Sequence, residues 1–361
     1  MTHVLMTADT VGGVWTYALE LVRGLAAHDV HVTLATMGAA LSPAQARAAR
    51  GLPNLDIVES TYALEWMADP WRDVDTASDW LLEIARRIEP DLVHVNGYAH
   101  AALPFGVPVV CVAHSCVVTW FRAVRGSEPG TEWDTYRTRV RNGLLAADEV
   151  VAPTAAILRD IMAAYRIPAD GRVISNGRTV DPPRHEKQHL VLAAGRLWDE
   201  AKGISTLAAA APMLSWPVCV AGPTTAPGAT NTNVPADVQL LGELSADDMI
   251  TAMARASIYA LPARYEPFGL SVLEAALAGC ALVLGDLATL REVWGPAAVY
   301  VTPGDTAALH HAIEALIRDP LRRGGLAASA RARALQLTSA RMAAAYHALY
   351  DDVCTAAREV A

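Results

Sequence analysis

Two acidic residues eight positions apart, Glu266 and Glu274, stand in the stretch Arg264-Tyr-Glu-Pro-Phe-Gly-Leu-Ser-Val-Leu-Glu274. The apolar run Ala256 to Leu261 before it reads as a buried strand, and Leu270 to Leu277 has helical spacing. A strand therefore ends, a turn carries Glu266, Pro267, Phe268 and Gly269, and a helix begins with free backbone N–H groups. Such a terminus favours anions through its amides and its dipole. Glu274 lies about one turn into the helix and can face a ligand on the same side as Glu266. Phosphate would meet the amides, and the carboxylates would accept hydrogen bonds from hydroxyls. A second constellation, Gly195-Arg-Leu-Trp-Asp-Glu-Ala-Lys202-Gly203, follows the strand His189 to Ala194 and precedes the helix Ile204 to Ala211. Arg196 and Lys202, set between glycines, form a cradle for a diphosphate. Of the 29 basic residues only Lys187 and Lys202 are lysines, which marks Lys202 as a position with a particular need.

These groups need strands that end at one edge of a sheet, and the chain alternates accordingly. The strand His3 to Thr7, the turn Asp9-Thr-Val-Gly-Gly-Val-Trp15, the helix Thr16 to Ala27 and the strand Val30 to Thr36 make a βαβ opening. Gly12 and Gly13 let backbone approach a ligand at that helix start. The dinucleotide fingerprint G-x-G-x-x-G is absent there, which argues against a nicotinamide enzyme. Strands follow at Leu55 to Val58, Leu92 to Val95, Pro108 to Val112 and Asp148 to Ala152, with helices at Ser78 to Ile88 and Ala155 to Tyr165, the latter capped by Thr154. His114 follows the strand Val109-Val-Cys-Val-Ala113 directly, at the strand end where open α/β sheets bind ligands. His94 and His100 read as scaffold or acceptor-side residues. From Trp120 to Asn142 five arginines, among them Arg122, interleave with aromatic residues, either as a solvated helical hairpin or as part of an acceptor site for something anionic.

After the polar linker Arg178 to Gln188 a second α/β series begins. Its strands lie at His189 to Ala194, Val218 to Ala221 before Gly222, Val238 to Leu241 before Leu244, Ala256 to Leu261, Ala281 to Leu284 and Val299 to Val301. Helices at Thr306 to Arg318, Leu321 to Leu335 and Ser339 to Arg358 close the chain.

The string E-P-F-G-L-S-V-L-E-A-A-L-A-G resembles the donor-binding signature of the retaining glycosyltransferases of family 4. The Gly12-Gly13 loop, the G-R-L…K-G arrangement, the Asn176-Gly177 turn and the position of His114 resemble that family too. The resemblance implies an α/β protein of GT-B architecture, two Rossmann-like domains facing across a cleft. Residues 1–180 would bind the acceptor and 189–336 the nucleotide sugar, and 337–361 would be a helix crossing back to the first domain. It implies transfer of a hexosyl group from a UDP- or GDP-sugar to an acceptor hydroxyl with retention of configuration. His114, Arg196, Lys202 and Glu266 would be catalytic. Gly12, Gly13, Gly222, Leu244, Pro267, Phe268, Gly269, Leu270 and Glu274 would hold the donor, Glu274 at the ribose. Asp9, Trp15, Trp120 and Arg122 would face the acceptor. Val11 stands where some relatives carry a phosphate-binding Lys. No cofactor is implied and no metal: the Asp73-Val-Asp75 pattern lacks a preceding buried strand, and acids at a helix start explain it.

At 361 residues the chain suggests two domains, and its 53% hydrophobic content supports sizeable cores. The net charge of −9 argues against nucleic acid as partner. No apolar run is long enough to span a bilayer, which leaves peripheral membrane contact open. Five scattered cysteines read as reduced core residues of a cytoplasmic protein. Two rival readings remain: a nucleotide-sugar epimerase of similar shape, and a non-catalytic sugar-nucleotide-binding protein.

Overall fold

The computed structural model describes residues 1–168, 170–225 and 237–360. The chain divides into two compact units, Met1–Gly177 with Thr338–Ala361, and Arg178–Leu337.

In the first unit the elements run β1 (Thr2–Asp9), α1 (Gly13–Leu25), β2 (Val30–Met37), α2 (Pro43–Arg50), β3 (Leu55–Glu59), α3 (Trp71–Ile88), β4 (Leu92–Val95), β5 (Val109–Val112), α4 (Val117–Arg125), α5 (Asp134–Ala146), β6 (Glu149–Ala152), α6 (Ala155–Ala164) and β7 (Arg172–Val173). The strands pair in parallel in the order β3-β2-β1-β4-β5-β6-β7. Helices cover both faces of a parallel sheet, so its central strands are apolar throughout. Val4, Leu5, Met6, Leu92, Val93 and Val95 are accordingly fully buried. The second unit runs β8 (Gln188–Ala194), α7 (Ile204–Ala210), β9 (Val218–Ala221), β10 (Gln239–Gly242), α8 (Ala246–Arg255), β11 (Ala256–Leu261), α9 (Leu270–Leu277), β12 (Ala281–Gly285), α10 (Ala288–Trp294), β13 (Ala298–Val301), α11 (Thr306–Arg318) and α12 (Pro320–Ala334). Its parallel order is β10-β9-β8-β11-β12-β13. Strand order reverses at β1/β4 in one sheet and at β8/β11 in the other. The carboxyl ends of such strand pairs open a crevice for ligands.

The last helix, α13 (Ser339–Val360), belongs to the first unit and packs on α1. A Cβ on Gly24 would lie 2.5 Å from the Cβ of Ala343, so glycine is what allows the two helices this approach. Tyr346 and Tyr350 of α13 are buried in that unit.

Several boundaries differ from the sequence reading. α1 starts at Gly13, not Thr16, because Gly12 already has the extended backbone of an N-cap. α3 starts at Trp71, not Ser78: Val74, Ala77, Leu81 and Ile84 form one continuous buried stripe. α2 and α10 were not expected. Residues 120–142 hold parts of two helices, α4 and α5.

Candidate functional site

In the second unit the chemistry sits on two loops at the reversal point. The loop after β8 is tied down by backbone. Gly195 N donates to Ala221 O at 3.0 Å, and Leu197 N to Pro223 O at 2.9 Å. A Cβ on Gly222 would lie 1.9 Å from Gly195 O, so no side chain fits between these loops. Asp199, 6% exposed, accepts from Ala201 N at 3.0 Å and from Arg196 Nη2 at 2.8 Å. The Arg196 guanidinium lies 5.0 Å from the centre of the Trp198 ring, within cation–π range. A short 3₁₀ turn, Glu200–Lys202, ends at Gly203, whose φ of +67° suits glycine. Arg264 N donates to Ala201 O at 2.7 Å and joins this loop to the one after β11.

That second loop carries Glu266. Its backbone carbonyl accepts from Thr289 Oγ1 of α10 at 2.6 Å. Its carboxylate meets Lys202: Nζ and Oε2 are 2.7 Å apart, with side chains 18% and 11% exposed. Gly269, at φ +88°, turns the chain into α9. Tyr259 Oη lies 3.2 Å from Ala194 O and 2.8 Å from Ser271 Oγ. A carbonyl only accepts, so Tyr259 donates to Ala194 and takes its second bond from Ser271. Glu274 Oε1 accepts from Arg178 Nε at 2.7 Å, both side chains being 14% exposed.

In the first unit the groups are neutral. His114 Nε2 lies 2.7 Å from Asn96 Oδ1, and its ring meets Tyr17 edge-on with centres 4.6 Å apart. His94, fully buried, has Nδ1 2.7 Å from Tyr350 Oη and Nε2 3.3 Å from the same Asn96 oxygen. Burial lowers the pKa of His114 to about 4 and, with the neighbouring His114, that of His94 to about 3. Both rings are therefore uncharged at neutral pH.

The chain matches the model of Glycosyltransferase Family 4 over residues 11–181 and that of Glycosyl transferases group 1 over residues 188–319. It belongs to the family 4, group 1 glycosyltransferases. The glycogen synthase of Mycobacterium tuberculosis is 38% identical over 98 residues, 27% of this chain and 22% of that protein. The matched stretch thus spans about a fifth of that curated relative. Among solved structures, the sucrose-phosphate synthase of Thermosynechococcus elongatus superposes with a TM-score of 0.78 at 18% identity, covering 99% of this chain and all of the other. Anabaena HepE, solved in complex with UDP and glucose, gives 0.76 at 17% identity over 98% of this chain and 100% of that one. At these identities the structures speak for the fold, which is that of GT-B glycosyltransferases. No helix among the described residues is long and apolar enough to cross a membrane.

In this family 4 chain the structure brings Lys202 and Glu266 into contact, with Gly195 and Arg196 in the same loop as Lys202 and Gly222 in the neighbouring loop after β9. Phe268, 3% exposed, and Leu270 pack into the core with Leu244, so these three offer a ligand mainly backbone. In the first unit Gly12 and Gly13 begin α1, and Val11 N donates to the Asp9 carboxylate. Trp15 is a correction: it is 6% exposed, buried among the apolar residues of the unit, and leaves little indole for an acceptor. Arg122 pairs with Glu128, and Trp120 stands beside Phe121 and Arg125. Asp73 accepts from Ala63 N at 2.9 Å and Asp75 pairs with Arg139, so both acids already have partners in α3's surroundings. Lys187, the other lysine, sends its Nζ to the carbonyls of Met253, Ala256 and Ala278 at 3.1, 2.8 and 2.8 Å. Its need is structural: it satisfies carbonyls where α8 and α9 end.

Two residues escaped the sequence reading. Arg178 lay in the stretch read as linker, and Asn96 was not singled out. The only signal for Asn96 was its position directly after a strand at the reversal point.

Proposed function

We propose that the protein transfers a hexosyl group from a nucleoside-diphosphate sugar, UDP- or GDP-linked, to an acceptor hydroxyl with retention at the anomeric carbon. The observation that carries this reading is the 2.7 Å contact between Lys202 and Glu266. It sets a cation for phosphate beside an acid for sugar hydroxyls, on two loops at a strand-order reversal. Arg196 and Lys202 neutralise the departing diphosphate, with the amides of α9 assisting. Glu266 accepts hydroxyls near the reacting carbon, Glu274 accepts from the ribose, and His114 contacts the sugar. No side chain here is assigned as a covalent nucleophile. The leaving phosphate helps deprotonate the acceptor hydroxyl, and the protein's contribution is positional and electrostatic. All five thiols are free and four are buried, which suits a reducing, cytoplasmic setting.

A thermal-shift panel of nucleotide sugars, followed by mass spectrometry of products with candidate acceptors, tests this. Because HepE binds UDP and glucose, UDP-glucose heads the panel. A glycoside with retained configuration supports the proposal. Release of nucleotide without any acceptor points to the epimerase reading, and binding without turnover to the regulatory one.

A further inference from the structure

The hydrogen bonds that Asn96 makes to Thr7 and His114 each have one possible direction. Its side-chain Nδ2 lies 2.7 Å from Thr7 O, and its backbone N is 2.9 Å from Thr7 Oγ1. A peptide carbonyl can only accept, so the NH₂ half of the amide must face Thr7. The oxygen half then faces the two imidazoles, at 2.7 Å from His114 Nε2 and 3.3 Å from His94 Nε2. An amide oxygen has no proton, so His114 Nε2 at 2.7 Å must donate to it, while the longer His94 Nε2 contact is shared with Tyr17 Oη at 3.4 Å. His94 is closed from its far side as well: its remaining nitrogen, Nδ1, lies 2.7 Å from Tyr350 Oη of α13. The neutral His114 keeps a bare Nδ1, which has no partner among the described residues.

The surroundings hold this arrangement in place. Glu65 accepts from Tyr98 N at 3.1 Å and Ala99 N at 2.8 Å, fixing the backbone just after Asn96. Tyr17 of α1 fixes the plane of the His114 ring. The titratable groups set against His114 are Tyr17 from α1 and His94 from β4. Tyr17 has its phenol pKa raised by burial and stays neutral, and the nearby Glu65 carboxylate, its own pKa raised by burial, is taken up by the Tyr98 and Ala99 amides.

We propose that Asn96 is a positioning residue that locks His114 in the Nε2–H tautomer, so that its Nδ1 lone pair is what a ligand meets and the group it binds is a donating hydroxyl. The ligand half of this inference rests on the sugar contact proposed above; the tautomer half does not. An imidazolium at this position would donate from both nitrogens, and would suit an anion instead. Asn96 therefore makes the His114 contact selective for a neutral polyol, with Tyr350 and Tyr17 supporting it through His94.

Two-bond ¹H–¹⁵N spectra of histidine-labelled protein read the tautomer directly, with His114→Gln and His94→Phe assigning the signals. The expected result at pH 7 is His114 with Nε2 protonated and Nδ1 bare, unchanged on acidification until close to pH 4. An Nδ1–H tautomer, or an imidazolium at pH 7, overturns the proposal whatever the protein catalyses. Asn96→Asp keeps an oxygen toward His114 but loses the donor to Thr7 O; in the folded variant an ionised carboxylate beside the ring should protonate Nδ1 at neutral pH. The acid limb of turnover should move up with it, kcat should fall at least tenfold, and calorimetric binding of UDP or GDP should be unchanged. A folded Asn96→Asp with an unaltered His114 spectrum removes Asn96 from the role. If neither nucleotide binds the wild type while the tautomer is as stated, the transferase reading fails and the positioning stands.

Discussion

The two strand-order reversals use opposite chemistry on the same scaffold. After β8 and β11 the side chains are ions held by counter-ions: Lys202 by Glu266, Arg196 by Asp199, with Arg178 on Glu274 beyond. At the ends of β4 and β5 they are neutral groups held by direction: Asn96 and His114, with His94 inside β4 beneath them. On the function proposed above, the difference matches what each would recognise. A diphosphate carries charge that only cations and amides can match, and cations on flexible stems keep their place by pairing with acids. A sugar hydroxyl carries no charge but has a direction, and a fixed imidazole lone pair reads direction. Burial that would be costly for the ions is what keeps the imidazoles neutral.

The comparison can be broken most forcefully at the charged end. Arg196→Ala and Lys202→Ala should each remove about 2.7–4 kcal/mol of transition-state stabilisation, cutting turnover about a hundredfold or more. His114→Gln should lose less, because a neutral hydrogen bond contributes only about 0.5–1.5 kcal/mol, or about two- to twelvefold. Steady-state rates of the three purified variants decide it. Near-normal turnover in both cation variants, with folding intact, would detach the diphosphate from that loop.

A sharper division runs within the charged end. Glu266 sits on the loop before α9 with Lys202 against it, and should act on the sugar as it gains positive character. Glu266→Gln should lower kcat. Glu274 is on the helix, clamped by Arg178, and should act on the unreacting ribose. Glu274→Gln should chiefly raise the donor KM, by about 1.5–3 kcal/mol for a charged hydrogen bond. Arg178→Ala should shift KM in the same direction by less. Calorimetry with the bare nucleoside diphosphate separates them. Weakening by Glu266→Gln but not by Glu274→Gln would mean the two acids have exchanged roles.

The legible parts of this molecule were those written in local pattern. Apolar runs such as Val109-Val-Cys-Val and Ala281 to Leu284 are buried parallel strands, and glycines flank the loops between them. What stayed hidden depends on strand order, which no local window contains. Lys202 and Glu266 are distant in sequence, and only the adjacency of β8 and β11 joins them. Asn96 likewise acquires meaning from Thr7, which β1/β4 pairing brings alongside. Trp15 misled because a tryptophan beside a glycine loop looks the same in sequence whether it faces ligand or core. Arg178 misled because polar context reads as linker, although its guanidinium is folded onto Glu274.

The neutral end predicts a pH dependence of stability. His94 and His114 have folded pKa values of about 3 and about 4 against 6.5 when unfolded. Between those limits the unfolded chain binds more protons, so stability rises with pH and falls on acidification. The loss begins as pH drops below about 6.5, and continues to about pH 4 for His114 and about pH 3 for His94. For a residue as buried as His94 the slope approaches about 1.4 kcal/mol per pH unit within that window. His100, also lowered by burial, adds in the same direction. Tm measured from pH 7 to pH 4 should fall steadily. It should fall less steeply in a folded His94→Gln variant, whose glutamine keeps hydrogen-bonding capacity without titrating. Equal pH slopes in the wild type and a folded His94→Gln variant would mean that His94 does not take up a proton on unfolding in this range.

The smallest effect should come from removing divalent metal. Asp73 and Asp75 match a metal-binding spacing, yet their side chains are engaged elsewhere: Asp73 holds the Ala63 amide, and Asp75 holds Arg139, which keeps its carboxyl below the usual range. Both lie in the first two turns of α3, a helix start where acids favour the dipole. The charge that a metal would supply to a diphosphate is assigned to Arg196 and Lys202 on the other unit. Turnover should therefore persist in EDTA within about twofold, and Asp75→Asn should change it no more than that. If chelation abolished activity and manganese restored it, the cation pair would not suffice for the leaving group. The contrast between a charged and a neutral crevice would then need an ion as a third term. Repeating the chelation in Lys202→Ala distinguishes the cases: a metal-dependent remnant appearing only in the variant would show that the lysine does what the ion would otherwise do.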